Sequence, residues 1–465
     1  MSATLRRYPA YKDSGVRWLG QVPERWQVQR MKTLLRERST KGYPNESLLA
    51  ATQTKGVVRK EQYENRTVVA MKDLHLLKLV RVGDFVISLR SFQGGIEYAR
   101  EQGIISPAYT ILYSVDPHNH GFLAWLFKSN PYVQNLSLFV TGIRQGQNID
   151  YERLSRSELP LPPKAEQAAI IRFLDHADRR IRRYIRAKQK LIGLLEEQKQ
   201  AIIHRTVTRG LDPNVRLKSS GVEWIGDVPE YWKVRRISWL FNERNERGSS
   251  GLPVLVVSLR TGVTVGAEFN GDGRPRRLIE DVTSYKYAEQ GDIAYNMMRM
   301  WQGAVGVVPV PGLVSPAYVV ARPRDGVLSS YFELLFRTAD CKNEINRNSR
   351  GIVSDRNRLY WDDFKRLYVL LPPPEEQRSI IDHVERETIA IATVIDRAHR
   401  EISLLREYRT RLIADVVTGK QDVREAAAKL PDEANEPEAL DDGDAMDDGD
   451  GTADDLDAVP EEVEA

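Results

Sequence analysis

The sequence lacks the features that several classes of protein require. It has a single cysteine, Cys341, which excludes a disulfide framework or a cluster of thiolate metal ligands within one chain. It has no run of 18 or more apolar residues and no basic-then-apolar leader, so we expect a cytoplasmic protein that does not enter a membrane. The phosphate-binding pattern G-x-x-x-x-G-K-[ST] is also missing, and we expect no ATP hydrolysis by this chain.

Patterns for other catalytic or metal sites are equally scarce. Ser106–Tyr109 and Ser315–Tyr318, both Ser-Pro-Ala-Tyr, resemble the tetrad with which adenine amino-methyltransferases hold a flipped base. The second proline is alanine in both, and no glycine-rich cofactor loop lies upstream, so we interpret them as turns that lead into strands. His118 and His120 have no third ligand nearby, and we therefore predict no metal site and no catalytic residue.

The net charge of +3 hides two regions of opposite charge. Residues 421–465 hold 18 acidic and 2 basic side chains, whereas residues 1–420 hold 66 basic and 47 acidic ones. The body of the chain therefore has a charge of about +19, which favours a polyanionic partner because Lys and Arg release the counterions condensed on phosphates. The acidic segment from Gln421 is predicted to be a disordered tail.

Two long stretches dominate the hydrophobic pattern. Residues 161–212 and 371–420 each begin with prolines, carry glutamate in the first turn and then show apolar residues at a 4,3 spacing, as an amphipathic helix does. A helix of roughly 55 Å cannot leave such a stripe in water, so we expect the two helices to pack as an antiparallel intramolecular coiled coil rather than with another chain. The predicted stripe of the first helix is Ile170, Leu174, Ala177, Ile181, Tyr184, Leu191, Leu195 and Ile202, widened by Ile171, Ile185 and Ile192. That of the second helix is Ile380, Val384, Ile391, Val394, Leu405 and Leu412, flanked by Ile381, Ile395 and Ile402.

The sequence ahead of each long helix is repeated. The motif W-[LI]-G-x-V-P-E-x-W occupies Trp18–Trp26 and, 206 residues later, Trp224–Trp232, which indicates a loop pinned by buried aromatics. Short apolar strands, turns and a short helix follow each copy in the same order. We predict an α+β protein with a pseudo-two-fold internal repeat, in which two domains of similar mixed α/β fold alternate with the two helices. The predicted boundaries are 1–160 for the first domain, 161–212 for the first helix, 213–370 for the second domain, 371–420 for the second helix and 421–465 for the tail.

The two domains differ most in polar stretches that contain glycine. Arginine, glutamine and asparagine can pair bidentately with guanine and adenine edges, and loops on a rigid scaffold can present them to a groove of double-stranded DNA. The alternative is that these stretches are solvated loops. The candidate DNA-binding residues are Arg90, Ser91, Gln93, Arg144, Gln145, Gln147 and Asn148 in the first domain, and Arg299, Gln302, Arg350, Ser354, Arg356, Asn357 and Arg358 in the second.

Together the duplicated motifs resemble a known family. The pattern Leu-Pro-Pro-x-x-Glu-Gln at residues 161–167 and 371–377, with the paired tryptophan motifs, closely resembles the DNA-specificity (S) subunit of type I restriction-modification systems. The resemblance covers roughly residues 11–420. The acidic tail departs from the family pattern.

The resemblance implies a role in DNA recognition. Each domain would be a target-recognition domain for one half of an asymmetric bipartite site, and the paired helices would set the spacer and dock two methyltransferase subunits. Those partners bind S-adenosylmethionine and methylate adenine N6, and motor-endonuclease subunits use ATP and Mg to move and cut DNA. The chain itself would bind no cofactor and perform no catalysis. Two alternatives stay open: a fused methyltransferase or nuclease acting alone, and a coiled-coil scaffold unrelated to DNA.

Overall fold

A computed structural model of the protein describes residues 5–53, 55–62, 73–89, 91–141, 148–249, 251–266, 284–351 and 357–431. These residues form two compact units. The first unit takes in the described residues up to Lys188 and those from Arg400 onwards, and the second takes in Gln189–His399. Among the described helices, none is long and apolar enough to cross a membrane.

The first unit has a four-stranded antiparallel sheet in the order β4-β11-β8-β9, with two-stranded antiparallel pairs β1-β2, β3-β14, β5-β6, β7-β10 and β12-β13 around it. Its strands are β1 (Tyr11–Asp13), β2 (Gln21–Pro23), β3 (Gln27–Arg30), β4 (Leu35–Arg38), β5 (Leu49–Thr52), β6 (Gly56–Arg59), β7 (Lys78–Val80), β8 (Phe85–Ile87), β9 (Glu97–Tyr98), β10 (Gly103–Ile105), β11 (Thr110–Ser114), β12 (Val140–Thr141), β13 (Asn148–Ile149) and β14 (Glu158–Leu161). Its helices are α1 (Met31–Leu34), α2 (Ser91–Gly94), α3 (His120–Phe127), α4 (Asn130–Leu136), α5 (Tyr151–Leu154) and the first part of α6 (Lys164–Arg209).

The second unit repeats this plan, with a sheet in the order β18-β25-β22-β23 and antiparallel pairs β15-β16, β17-β26, β19-β20 and β21-β24. Its strands are β15 (Leu217–Ser219), β16 (Asp227–Pro229), β17 (Lys233–Arg236), β18 (Phe241–Arg244), β19 (Leu255–Ser258), β20 (Gly262–Val265), β21 (Lys286–Ala288), β22 (Ile293–Asn296), β23 (Val305–Val307), β24 (Gly312–Val314), β25 (Tyr318–Pro323) and β26 (Tyr368–Leu371). Its helices are α7 (Ser329–Phe336), α8 (Ala339–Arg347), α9 (Trp361–Phe364) and the first part of α10 (Pro374–Val417), and α11 (Arg424–Ala428) follows in the first unit. The predicted α+β fold with an internal repeat is confirmed.

Each sheet has two inner strands, and the one called the inner strand below, β8 in the first unit and β22 in the second, is buried along its whole length because both faces of the sheet are covered. In β8, Phe85 and Ile87 point into a large core with the aromatic residues of α3, whereas Val86 between them joins a smaller core under the β5-β6 hairpin. In β22, Ile293 and Tyr295 face the large core, and Ala294 faces the small one. The two-residue period of a strand therefore divides each unit into the same two cores.

The long helices pack antiparallel in the first unit. Arg409 Nε of α10 lies 2.5 Å from Asp178 Oδ1 of α6, and Lys188 Nζ lies 2.7 Å from Glu401 Oε2. Residue numbers rise along one helix as they fall along the other, so the predicted antiparallel pairing is confirmed there. In the second unit both helices contribute to one core, which contains Ile203, Val207, Ile380 and Val384.

Along part of each long helix, burial shifts from the positions at the 4,3 spacing to the residues that were predicted to flank them. Ile185 and Ile192 are buried, whereas Tyr184 is 52% and Leu191 is 38% exposed. In α10, Val394 is 45% exposed. A strict 4,3 spacing drifts against the 3.6-residue turn by about 20° per heptad, so over a long helix the contact face moves to neighbouring positions. The prediction was therefore wrong for Tyr184, Leu191 and Val394, which lie on outer faces.

The two duplicated motifs bind each other within each unit. Trp26 Nε1 donates to Glu166 Oε1 at 2.7 Å, in the first turn of α6. Trp232 Nε1 donates to Glu376 Oε2 at 2.8 Å, in the first turn of α10. Both indoles are almost fully buried, as predicted for a pinned loop. Because the carboxylate accepts this buried N–H, each tryptophan motif fixes the start of a long helix on its own domain.

The far end of the other long helix meets the same tryptophan. Gly419 follows α10 with a φ of 78°, and a Cβ there would lie 3.3 Å from Trp26. Gly210 follows α6 with a φ of 76°, and a Cβ there would lie 3.3 Å from Trp232 and 2.8 Å from Glu376 Oε1. Glycine is thus required at both C-termini, by the left-handed backbone and by the close approach of the ring.

The chain keeps its structure beyond Gln421, which corrects the predicted start of the disordered tail. Val423 and Ala427 are buried in the first unit, and α11 places them on one face. Arg172 Nη2 donates to the Leu430 carbonyl at 2.8 Å. The prediction of disorder is therefore wrong for residues 421–431, and residues 432–465 lie outside the described part of the chain.

Candidate nucleic-acid interface

In the second unit, two candidates lie on a tight turn at the end of the inner strand. The turn is a 3-10 helix, Met300–Gln302, closed by Gly303 at a φ of 101°. Met300 is buried and anchors the turn, while Gln302 is exposed and Arg299 is half-buried. The fold therefore holds the backbone of this turn rigidly and leaves its polar side chains at the surface.

A second pair of candidates lies beside this turn. Arg350 and Arg358 exchange two backbone hydrogen bonds of 2.9 and 2.8 Å, which close a short hairpin. The next residue, Leu359, donates its amide to the carbonyl of Met297 at 2.9 Å. Two stretches that are about 50 residues apart in the sequence are thus brought together.

The fold orients some of these side chains and leaves others open. Arg350 forms an ion pair of 2.6 Å with Asp363, and this hydrogen bond raises the pKa of the guanidinium. Asn357 Nδ2 donates to Asn346 Oδ1 at 2.8 Å. Among the described residues, no carboxylate pairs with Arg299 or Arg358, so both guanidinium groups can meet phosphates or base edges.

The first unit places its described candidates at the equivalent positions. Gln93 is exposed on α2, which follows the inner strand β8, and Asn148 is exposed on β13, which contacts α2. Ser91 is only 1% exposed, and its Oγ accepts the Ser88 amide at 2.8 Å. Its hydroxyl therefore closes the turn, and we leave Ser91 out of the proposed reading surface.

The remaining candidates lie outside the described residues. The strands β12 and β13 flank the first of these segments in the sequence, and the bridge between Arg350 and Arg358 flanks the second. Their roles stay predictions. These residues are Arg90, Arg144, Gln145, Gln147, Ser354 and Arg356.

Sequence reasoning missed the turn of the β5-β6 hairpin. Gln53 on this turn donates from Nε2 to Gln93 Oε1 at 3.3 Å, so it lies on the same surface as a predicted candidate. A signal was present in the repeat: Thr52-x-x-x-Gly56 returns 206 residues later as Ser258-x-x-x-Gly262. In both hairpins this hydroxyl closes the turn. Thr52 accepts the amide of Lys55, three residues on, and Ser258 accepts the amide of Arg260, two residues on.

The two Ser-Pro-Ala-Tyr sequences are turns, as predicted. Ser106 Oγ accepts the amide of Ala108, and Ser315 Oγ accepts the amide of Ala317, both at 3.3 Å, just before β11 and β25. Cys341 is buried, which raises the pKa of its thiol. The described residues contain no group of three or more His, Cys, Asp or Glu side chains that could hold a metal ion.

A second surface lies on the outer faces of the long helices. The register set by the two ion pairs between α6 and α10 places Tyr184 level with Leu404 in the first unit, and they are 52% and 64% exposed. Their equivalents 210 residues away are Val394 and Leu194, which are 45% and 54% exposed in the second unit. An exposed apolar side chain therefore occurs at the equivalent two positions of each unit.

Comparison with known proteins places the fold. No family model matches the chain. A putative type I restriction enzyme MjaX specificity subunit of Methanocaldococcus jannaschii is 21% identical over 442 residues, which cover 87% of this chain and 96% of that protein. The type I restriction enzyme EcoKI specificity subunit of Escherichia coli is 22% identical over 320 residues, covering 64% of this chain and 65% of that protein. A solved chain from a study of complex assembly and conformational transition in the type I restriction-modification system shares the fold, with a TM-score of 0.63, 14% identity and coverage of 85% of this chain and 98% of that one.

Proposed function

We infer that this chain, which belongs to the family of type I restriction-modification specificity subunits, is the sequence-reading subunit of such a system. Each unit reads one half of an asymmetric bipartite site in double-stranded DNA. The chain supplies recognition and no catalytic group, and methyl transfer and cleavage belong to partner subunits.

One observation carries this proposal: two units with the same fold present a different polar side chain at an equivalent position of their candidate surfaces. The turn after the inner strand presents a glutamine in both units, Gln93 and Gln302. The neighbouring hairpin carries Asn148 in the first and Arg358 in the second. Since Arg pairs best with guanine and Gln or Asn with adenine, one frame with different side chains yields two different half-sites.

The outer faces of the long helices support a partner that binds twice. Tyr184 and Leu404 in one unit, and Val394 and Leu194 in the other, give the long helices exposed apolar side chains at equivalent positions of the repeat. Exposed apolar side chains that recur with the repeat are suited to two copies of one partner protein. We assign them to two methyltransferase subunits.

The partners supply the cofactors. In this proposal the methyltransferase subunits bind S-adenosylmethionine and methylate adenine N6 within the site. Motor-endonuclease subunits, bound in addition, use ATP and Mg to translocate and cut DNA. The complex works in the cytoplasm, where it meets chromosomal DNA.

The test is a genome-wide map of N6-methyladenine in the source cell with this gene intact, deleted and restored. Deletion should remove one split motif, of the form half-site, fixed spacer, half-site, and the restored gene should return it. Restoration with Arg358→Ala should relax only the half-site read by the second unit. The proposal would be refuted, and a scaffold favoured, if deletion left the map unchanged and the chain with its methyltransferase partner bound no duplex DNA. Methylation by the purified chain alone would favour the self-sufficient enzyme.

A further inference from the structure

The turn of the β5-β6 hairpin is joined directly to the candidate reading turn of the first unit. Gln53 and Gln93 are both exposed, and their carboxamides are hydrogen-bonded at 3.3 Å. The side chain of Gln53 lies across Gly94, where a Cβ would come within 2.8 Å of Gln53 Cγ. A hydrogen bond between two exposed amides adds little stability because water competes for both groups. Its effect is to orient two amides side by side at the surface.

An ion pair between the half-buried Lys128 and the buried Glu97 fixes both turns. Lys128 Nζ donates to the carbonyl of Gln53 at 3.1 Å, to the carbonyl of Gly94 at 2.8 Å and to Glu97 Oε1 at 2.6 Å. All three donors of the ammonium group are thus used, and two of them hold one turn each. The Glu97 side chain is 2% exposed. Desolvation of the carboxylate offsets much of the attraction, so the pair is a weak source of stability, and its main effect is to hold the two turns in position.

The second unit has the same hydrogen bond from a helix end to the hairpin turn, but the donor is a different basic residue. Arg337 follows α7 as Lys128 follows α3. Its Nη2 donates at 2.5 Å to the carbonyl of Leu259, which occupies the position of Gln53 in the β19-β20 hairpin. The basic link from the helix end to the hairpin turn therefore occurs in both units.

The carboxylate that accompanies the link has moved between the units. In the second unit it is Glu333, on α7, which lies 3.5 Å from Arg337. The position equivalent to Glu97 is Gly306, where a Cβ would lie 2.5 Å from the Val263 amide and has no room. The acidic residue therefore comes from a different element in each unit. The hydrogen bond from the basic residue to the carbonyl of the hairpin turn is present in both.

We propose that these hairpin turns belong to the base-reading surface, with Gln53 as a specificity residue of the first unit and Arg260, one residue beyond the equivalent position, as that of the second, and with Lys128 and Arg337 as positioning residues. The proposal rests on the proposed function and adds a second reading element to each unit. Arg260 is exposed at the turn, and its amide is held by Ser258 Oγ at 3.1 Å. Glutamine suits an adenine and arginine suits a guanine.

The experiment measures binding of the complex with its methyltransferase partner to the split motif and to every single-base variant of it. Gln53→Ala should lower discrimination roughly 10- to 100-fold at one or two base pairs of one half-site and leave the other half-site unchanged. Arg260→Ala should do the reverse, so each unit serves as the control for the other. Gln102→Ala is the matched control, because Gln102 is exposed near the opposite end of the β5-β6 hairpin and its carboxamide likewise donates to a side chain, Glu46, at 2.8 Å.

The outcomes separate the two proposals. If the wild-type complex selects no motif, the proposed function fails. If it selects a motif and Gln53→Ala keeps full discrimination, or weakens binding equally to all duplexes as loss of a phosphate contact would, only the present inference fails.

The positioning role has its own test. Lys128→Met should reduce discrimination in the same half-site as Gln53→Ala, and Lys128→Arg should restore it, because arginine serves at the equivalent position of the second unit. If Lys128→Met lowered only the folded fraction and the folded molecules kept full discrimination, the residue would be structural and the assignment would be overturned.

Discussion

The hydrogen bonds between the tryptophan motifs and the long helices predict unequal costs for the same substitution in the two units. Glu166 accepts from Trp26 and also from the hydroxyl of Tyr8 at 2.5 Å, and both donors are buried. Glu376 accepts from Trp232 and from the Tyr231 hydroxyl at 2.9 Å, but Tyr231 is 53% exposed.

A buried donor left without an acceptor costs about 1 to 3 kcal/mol. Glu166→Ala leaves two such donors and should destabilise the first unit by about 2 to 6 kcal/mol. Glu376→Ala leaves one, since water replaces the acceptor for the exposed Tyr231, and should cost the second unit about 1 to 3 kcal/mol. The first unit should therefore lose more stability than the second.

Hydrogen exchange of the native protein, followed by peptide mass analysis in increasing denaturant, measures this because it reports on each unit separately. Glu24→Ala is the control, since Glu24 belongs to the same motif and is exposed. Trp26→Phe combined with Glu166→Ala should cost less than the sum of the single changes, because the double variant leaves no unpaired indole. Equal losses in the two units, or a loss below about 1 kcal/mol for Glu166→Ala, would refute the reasoning.

Three further predictions follow from charge, burial and the helix pair. A chain ending at Pro431, which keeps α11, should bind non-specific duplex more tightly and with a steeper salt dependence than the full chain if the acidic segment competes with DNA; unchanged binding would dismiss that competition. Burial raises the pKa of Glu97 from its ordinary 4.5 to about 7 despite Lys128, so the carboxyl keeps its proton to a higher pH in the folded than in the unfolded chain. The first unit should therefore lose stability as the pH rises from about 4.5 to about 7. Denaturant titrations at several pH values measure this loss, and Glu97→Gln should flatten it. Matched heptads inserted after Lys188 and after His399 lengthen both helices by roughly 10 Å where the two units meet in the sequence, and should alter the tolerated spacer without changing either half-site; a methylation motif with new half-site bases would contradict this.

The sequence predicted the parts of the fold that depend on repeated local signals. The Pro-Pro-x-x-Glu-Gln starts gave both long helices to within a few residues, and the tryptophan motifs gave the pinned loops. That Trp26 binds Glu166 could also have been foreseen, because two motifs duplicated in step are expected to be coupled. The exposure of Tyr184 could not have been foreseen, because the buried face of a long helix rotates gradually away from a strict heptad spacing and also depends on how the partner helix packs against it.

The candidate site was predicted less completely because contacts across a turn depend on tertiary packing. Gln93 was identified from its composition and setting, but Gln53 precedes it by 40 residues and nothing local marks their contact. The sequence presents Ser91 as a polar side chain in a loop, but the side chain is buried because serine hydroxyls bind backbone amides at turns. The short apolar helix after Gln421 was hidden by the acidic composition that follows it.

The lengths of the two repeats argue that the reading turns are where the units have been free to diverge. The units keep their strands in step from β4 and β18 through β6 and β20, at an offset of 206 residues. The second unit is two residues longer between the β19-β20 hairpin and β21, one residue longer between its inner strand and β23, and one residue longer across the Arg350–Arg358 hairpin. Two of these three changes fall within the turns that carry the candidate side chains, and the strands and buried cores on either side do not change. A loop on a fixed frame can change length and side chains without loss of the core, so the frame permits new half-sites while the tryptophan–glutamate links keep each long helix in place.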